Sequence, residues 1–125
     1  MKSMMDRDGK KDELGVRTKA FALRVIHLAE SLPDKGTGRV IKDQILRAGT
    51  SVGANYRAAK RAKSTAVFIS KMGTVEEEAD ETMYWMELIV ESGLMAENLV
   101  SALYREADEI LAMTVASIKT ARGKR

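Results

Sequence analysis

Hydrophobic residues recur at helical spacing along four stretches of the chain, and turn-forming residues separate these stretches. The predicted helices run from about Val16 to Leu32, from Thr37 or Gly38 to Arg61, from the N-cap Ser64 to Glu91, and from Glu97 to Lys119. Pro33 ends the first helix, because the residue before a proline disfavours the α conformation. Gly93 is a typical stop for the third helix. Short connections place consecutive helices antiparallel, so the pattern predicts an all-α, up-down-up-down four-helix bundle.

The apolar face of each helix defines the predicted core. Its members are Phe21, Val25, Leu28 and Leu32 in the first helix, Ile41, Ile45, Ala48, Val52, Tyr56 and Ala59 in the second, Phe68, Met72, Val75, Ala79, Met83, Met86 and Val90 in the third, and Val100, Leu103, Ala107, Ile110, Leu111, Thr114 and Ile118 in the fourth. Gly49 and Gly53 lie inside the second helix, where each costs about 1 kcal/mol relative to alanine. We interpret them as sites where a neighbouring helix approaches closely. The alternative is a break in the helix between them.

Composition sets the domain organisation. A chain of 125 residues is the size of one domain, and its 45% hydrophobic content with a single proline favours helices around one core. We assign residues 1–12 to a flexible leader, 13–121 to the bundle and 122–125 to a basic tail. Cysteine is absent, which excludes disulfides and thiolate metal ligands. Neither a signal peptide nor an apolar run of about 20 residues is found, so we expect a soluble, cytoplasmic protein.

The net charge of +3 conceals two oppositely charged halves. Residues 1–63 contain 15 Lys/Arg and 7 Asp/Glu, whereas residues 64–125 contain 6 and 11. Six basic residues of the second helix share an arc about 140° wide; this basic arc consists of Arg39, Lys42, Arg47, Arg57, Lys60 and Arg61. It is the candidate nucleic-acid-binding surface, because Lys and Arg side chains can follow a phosphate backbone. The plainer interpretation is a solvated face whose charges pair with acids of the second half.

The third helix has a second distinctive face, about opposite its core face. That face carries Glu77, Glu78, Glu81, Tyr84, Trp85 and Leu88. Three large apolar side chains within five residues of an otherwise solvated face are typical of an interface. We therefore predict a homo-oligomer. The predicted interface residues are Leu46, Glu78, Glu81, Tyr84, Trp85 and Leu88.

The sequence offers little for catalysis. His27 is the only histidine, so one chain cannot build a metal site from several histidines, and no Glu-x-x-His motif is present. The stretch from Gly49 to Gly53 lacks the Lys-Ser/Thr of a phosphate-binding loop. Neighbouring acids of the third helix point about 100° apart and do not converge. We expect no enzymatic activity, no cofactor and no metal; an enzyme would need a cation shared by Glu77 and Glu81 across subunits.

Several short segments, in a fixed order, carry a family resemblance. They are Gln44–Arg47, Ser51–Arg57, Ser64, Phe68–Lys71, and Glu78–Thr82 followed by Tyr84 and Trp85. Together they resemble a bacterial family of small four-helix-bundle proteins first noticed as reading frames in intervening sequences of 23S ribosomal RNA genes. The accessory variability protein of diversity-generating retroelements is a relative. The resemblance covers about Phe21 to Ala121, with one departure: the family usually has Asn-x-x-Glu-Ala, whereas this chain has Ala58 at the glutamate position.

The resemblance implies a barrel-like homopentamer with a central pore. The relatives associated with retroelements further imply binding of nucleic acid and of a reverse transcriptase through basic surfaces. Two functional hypotheses follow. In the first, a non-catalytic homo-oligomer binds nucleic acid, structured RNA or RNA/DNA, through the basic arc. In the second, the protein is a scaffold or adaptor whose charged helices contact each other or protein partners only.

Overall fold

The computed structural model describes residues 12–123, and four long helices contain most of them. The helices are α1 (Glu13–Glu30), α2 (Gly36–Lys60), α3 (Thr65–Glu91) and α4 (Ser101–Gly123). The second helix packs against α1 and α3, and α4 packs against α3 and α1, so the four close into one bundle. The predicted all-α four-helix bundle is confirmed, and no strand occurs between residues 12 and 123.

Capping residues explain where the helices begin and end. Asp12 is the N-cap of α1, and its carboxylate accepts the backbone N–H of Gly15 at 3.1 Å, so α1 begins three residues before the predicted Val16. Ser64 caps α3 as predicted, accepting the N–H of Val67 at 3.1 Å. Gly93 follows α3 with φ of 82°, a left-handed conformation that glycine adopts without strain.

The fourth helix differs most from its predicted bounds. Residues Glu97–Leu99 form a separate 3₁₀ turn, so α4 begins at Ser101 rather than Glu97 and continues to Gly123 rather than Lys119. Val100, predicted as the first core residue of α4, is buried at the junction between the turn and the helix. The leader assigned to residues 1–12 lies outside the described residues except for Asp12, as do the tail residues Lys124 and Arg125.

The core follows the predicted apolar faces closely. Nearly all predicted positions are buried, whereas Phe68, Val90 and Leu111 pack only partly against the core. Ile89 and Thr82 are buried on α3 without having been predicted. The buried threonine hydroxyls donate to helix carbonyls one turn back: Thr82 to Glu78 at 2.7 Å and Thr114 to Ile110 at 2.8 Å. These bonds satisfy the hydroxyls where water is excluded.

Gly49 and Gly53 of α2 mark the contact with α1. A Cβ atom on Gly49 would lie 2.6 Å from Cγ1 of Val25, and one on Gly53 would lie 3.3 Å from the backbone oxygen of Thr18. Helix α2 is continuous through both positions. Close helix approach is therefore confirmed as the reason for these glycines, and the predicted alternative of a helix break is wrong.

Candidate nucleic-acid and assembly surfaces

The basic arc of α2 lies mostly on the outside of the bundle. Arg39, Arg47, Arg57, Lys60 and Arg61 are exposed. Lys42 differs: it is half-buried, and its Nζ lies 3.7 Å from Oδ1 of Asp34 in the turn before α2. The structure thus places five of the six predicted residues in solvent. Lys42 lies near the start of α2, at the end of the bundle opposite to Arg57, Lys60 and Arg61.

The acidic residues of α3 do not neutralise these arginines within the chain. Across residues 12–123, no salt bridge joins Arg39, Arg47, Arg57 or Arg61 to an acid of α3. Pairing with the acids of α3 inside one protomer therefore does not account for these four arginines.

The carboxylates of α3 instead lie close to one another. Glu78 is half-buried, and burial raises the pKa of its carboxyl above the ordinary value, with the neighbouring charges of Glu81 and Glu77 adding to the effect. No group of three or more acids and histidines within the described chain is arranged to hold a metal ion. His27, the sole histidine, is exposed in the last turn of α1.

The aromatic pair on α3 is only partly open to solvent. Tyr84 is 52% exposed, whereas Trp85 is half-buried against the core and donates its indole N–H to Oε2 of Glu81 at 3.1 Å. The two rings meet edge to face with centroids 5.1 Å apart. Leu88 and Leu46 are half-buried as well. The outward apolar surface predicted on α3 therefore consists mainly of Tyr84, with Trp85 and Leu88 at its margin.

An ionic cluster between α1 and α4 was missed by the sequence analysis. Nη2 of Arg17 lies 2.6 Å from both Glu106 and Glu109, and its Nε donates to Glu106 at 3.0 Å. These hydrogen bonds raise the pKa of the Arg17 guanidinium. Nη1 of the same group also reaches the sulfur of Met113 at 3.4 Å. The spacing of Glu106 and Glu109 by three residues on α4 was the available signal, but nothing local identified their partner.

A second missed contact joins α3 to α4. The hydroxyl of Tyr104 donates to Oε2 of Glu87 at 2.7 Å. This hydrogen bond, followed by burial, raises the pKa of Tyr104 to about 12. The structure also exposes apolar residues that the periodicity did not single out, among them Leu23, which is 53% exposed on α1.

Two adjoining clefts lie at the end of the bundle where α2 ends, α3 begins and α4 ends. The first, of about 430 Å³, is lined by Ala62, Lys63, Ser64, Thr65, Phe68, Ser117, Thr120 and Ala121. The second, of about 490 Å³, reaches toward α1. It shares Phe68, Ser117 and Thr120 with the first and adds Asp12 and Lys60, among others. We call this region the basic end.

Comparison with known proteins identifies the family. The sequence profile of the family described as 23S rRNA-intervening sequence protein matches residues 12–116. The chain belongs to this family. The crystal structure of a protein of unknown function from the S23 ribosomal protein family of Bacteroides thetaiotaomicron has 34% sequence identity and a TM-score of 0.81. The match covers 85% of this chain and 98% of that one. No curated protein matches the sequence.

The segment around the C-terminal half of α2 carries no acidic residue. Ala58 is half-buried on α2, directly after the exposed Arg57. The chain from Gln44 to Val75 contains six Lys/Arg and no Asp/Glu. The uninterrupted positive charge leads from the outer face of α2 into the basic end.

None of the described helices has the length and apolarity needed to cross a membrane.

Proposed function

We propose that this family member is a non-catalytic homo-oligomer that binds nucleic acid electrostatically through the basic face of α2. The observation that carries the proposal is the exposure of Arg39, Arg47, Arg57 and Arg61 without a salt bridge to the acids of α3 in the described chain. Charges that pair inside a protomer serve folding, whereas outward charges of one sign are available to a polyanion.

The physical basis of binding is the release of counterions from the phosphate backbone. Each phosphate neutralised by Lys or Arg releases condensed cations, so affinity falls steeply with salt. The described α2 face has no stacking aromatic among its basic residues, which favours backbone contact over base reading. The ligand class we infer is structured RNA or RNA/DNA, in the cytoplasm.

Self-association is the second part of the proposal. Tyr84 is a large, half-exposed aromatic that packs edge to face on Trp85, and Glu81 and Leu88 lie about one helical turn away on either side of it. Such a patch is typical of a protein interface. The family resemblance suggests a pentamer. A ring repeats the α2 face around its axis and so strengthens the positive field toward a polyanion. A reverse transcriptase is the protein partner suggested by the retroelement relatives.

The binding proposal is tested by titrating a labelled RNA hairpin with the purified protein at several salt concentrations. We expect binding at about 50 mM salt and a steep negative slope of log K against log salt. The variant Arg57→Gln/Arg61→Gln is expected to reduce the slope by about two, since each lost phosphate contact lowers it by about one.

The matched control for this titration is Lys19→Gln/Arg24→Gln, which removes two exposed charges from α1. It is expected to leave the slope close to that of the wild type. Absence of binding by the wild type at about 50 mM salt, or equal effects of the two variants, contradicts the proposal.

The scaffold hypothesis remains the second candidate, and one observation favours it. The outer faces of the adjacent helices α2 and α3 carry opposite charges, and within residues 12–123 Arg39, Arg47, Arg57 and Arg61 form no salt bridge with the acids of α3. One protomer's α2 could therefore pair with another's α3 in a head-to-tail contact. Light scattering separates the candidates: the scaffold predicts that Arg57→Gln/Arg61→Gln disrupts the oligomer, whereas nucleic-acid binding predicts an intact oligomer that no longer holds RNA.

A further inference from the structure

The basic end joins two charged segments that are distant in sequence. Lys63 precedes the N-cap of α3, and Lys119 lies in the last turns of α4. The cleft of about 430 Å³ brings the flanking residues together, since it is lined by Lys63 to Thr65 on one side and by Ser117, Thr120 and Ala121 on the other. The fold therefore adds an α4 cation to the positive charge of the α2–α3 corner.

The surroundings of this end contain few opposing charges. Residues 57–71 hold five Lys/Arg and residues 110–123 hold two, and neither range contains an acid. The acids of the adjoining cleft are Asp12 and Glu13. Asp12 accepts hydrogen bonds from the Gly15 N–H and, at 2.6 Å, from the Tyr56 hydroxyl. Glu13 lies 3.8 Å from Arg17. Both carboxylates are thus engaged with other groups.

Helix dipoles do not produce this positive potential. Two helices, α1 and α3, begin at the basic end, and two, α2 and α4, finish there. Their positive and negative ends largely cancel. The potential at this end therefore comes from side-chain charge.

The acidic residues concentrate elsewhere along the bundle. Residues 80–109 carry eight Asp/Glu and one Arg. They cover most of the second half of α3, the connection to α4 and the first part of α4. Because the field of the whole molecule steers a polyanion away from that region and toward the opposite end, the two ends are not equivalent approaches for a phosphate chain.

We propose that the phosphodiester backbone of nucleic acid docks at the basic end, with Arg57, Arg61, Lys63 and Lys119 as its cationic contacts. This inference rests on the proposed function and narrows its surface: Arg39, Lys42 and Arg47, in the first half of α2, lie outside the site. The hydroxyls of Thr65, Ser117 and Thr120 line the cleft that Lys63 also lines, and they can donate hydrogen bonds to phosphate oxygens.

The test compares two double variants that each remove two charges, with the same RNA hairpin as probe. Lys63→Gln/Lys119→Gln neutralises the basic end, and Arg39→Gln/Arg47→Gln neutralises the far half of the arc. All four residues are exposed. We expect the first variant to reduce the slope of log K against log salt by about two and the second to leave it unchanged. Circular dichroism verifies that both variants stay folded.

A charge insertion gives an independent readout. Thr120 is exposed on α4 and lines both clefts, so Thr120→Glu places a carboxylate in the cleft that Lys63 also lines. It should weaken RNA binding at about 50 mM salt at least as much as the loss of one lysine. The inference is overturned if Lys63→Gln/Lys119→Gln and Thr120→Glu bind as tightly as the wild type, or if both double variants lose equal slope. A wild type that fails to bind removes the proposed function itself, which is a distinguishable result.

Discussion

Charged and apolar residues of α1 contact the neighbouring helices, whereas comparable residues of α3 lie at the surface. On α1, Arg17 bonds to Glu106 and Glu109 of α4, while Val25 packs into the space left by Gly49 of α2. On α3, by contrast, the acids Glu77 and Glu81 are exposed, and Tyr84 is half open to solvent. The first helix is bound to both neighbours by specific contacts. The third keeps Glu77, Glu81 and Tyr84 at the surface, where a partner can contact them.

This difference separates residues that determine stability from residues that determine association. Substitutions on the contact faces of α1 should change the free energy of unfolding and leave partner binding alone. Substitutions on the outer face of α3 should do the reverse. We order the predictions by the size of the expected change in free energy, from Gly49 to Glu78.

The largest loss of stability is expected from Gly49→Ala. The new methyl group would lie 2.6 Å from Cγ1 and 3.0 Å from Cβ of Val25, a fully buried and β-branched side chain, so the packing of α1 against α2 must shift to admit it. Overpacking of this kind reduces the free energy of unfolding by about 2–3 kcal/mol. Urea denaturation followed by circular dichroism measures the change.

The matched control is Gly73→Ala on α3, where a Cβ atom meets no atom within 4 Å. Alanine there should stabilise the protein by about 0.5–1 kcal/mol, because glycine inside a helix loses more conformational entropy on folding. Destabilisation of equal size at both positions would mean that close packing on α1 is not what Gly49 provides.

The next effect is expected from Arg17→Gln. This change removes charge-assisted hydrogen bonds to Glu106 and Glu109 and leaves two neighbouring carboxylates without their cation. Because Glu109 is largely exposed, solvent screening limits the loss to about 2 kcal/mol. Thermal or urea unfolding measures it, with the exposed Arg24→Gln on the same helix as control. Equal stability of the two variants would show that the α1–α4 cluster contributes nothing.

Association should respond to Tyr84→Ser. Loss of a central aromatic contact weakens an interface by about 1 kcal/mol or more, while an exposed substitution changes folding stability by about 0.5 kcal/mol at most. Analytical ultracentrifugation over a concentration series measures the shift toward smaller species. Leu23→Ser on α1 is the control, since Leu23 is 53% exposed and Tyr84 is 52% exposed. If only the Leu23 variant dissociates, the interface lies on α1 and not on α3.

The smallest effect concerns Glu78 and pH. Its pKa is raised in the folded state, so the folded protein binds the proton more tightly than the unfolded chain does. Stability therefore decreases as pH rises from the ordinary carboxyl value of 4.5 through the folded pKa, and the penalty persists above it. Glu78→Gln should stabilise the protein at pH 7 by about 0.3 kcal/mol and flatten this part of the pH profile. Destabilisation at pH 7 would show that the carboxylate has a favourable partner.

The helical periodicity was enough to predict four helices, their order and most of the core. Ile41, Ile45 and Val52 repeat at helical spacing, and all three are buried. The caps Ser64 and Gly93 were also readable, because each acts on residues a few positions away. Local signals of this kind depend on short stretches of sequence, and the structure agrees with them.

Contacts between distant segments were not predictable from the same signals. Arg17 and Glu106 are 89 residues apart, and nothing near either one indicates the other. The partial burial of Trp85 depends on how α3 is rotated against the core, which the spacing of apolar residues fixes only approximately. The cleft at the basic end likewise forms from a helix corner and the last turns of α4. The sequence could indicate a basic arc on α2 but not the contribution of Lys119.

The uneven placement of acids and bases along the bundle gives each protomer an electric dipole moment. When identical protomers are related by rotation about a symmetry axis, their dipole components along the axis are equal, and their perpendicular components cancel in the sum. In a closed cyclic assembly of this chain, the axial components would therefore add, giving the ring one positive and one negative rim. Two such rings would repel each other with like rims together and attract with unlike rims together. The distribution of Lys63, Lys119 and the acids of α3 would thus favour head-to-tail columns at low ionic strength, with separation of the rings as salt is added.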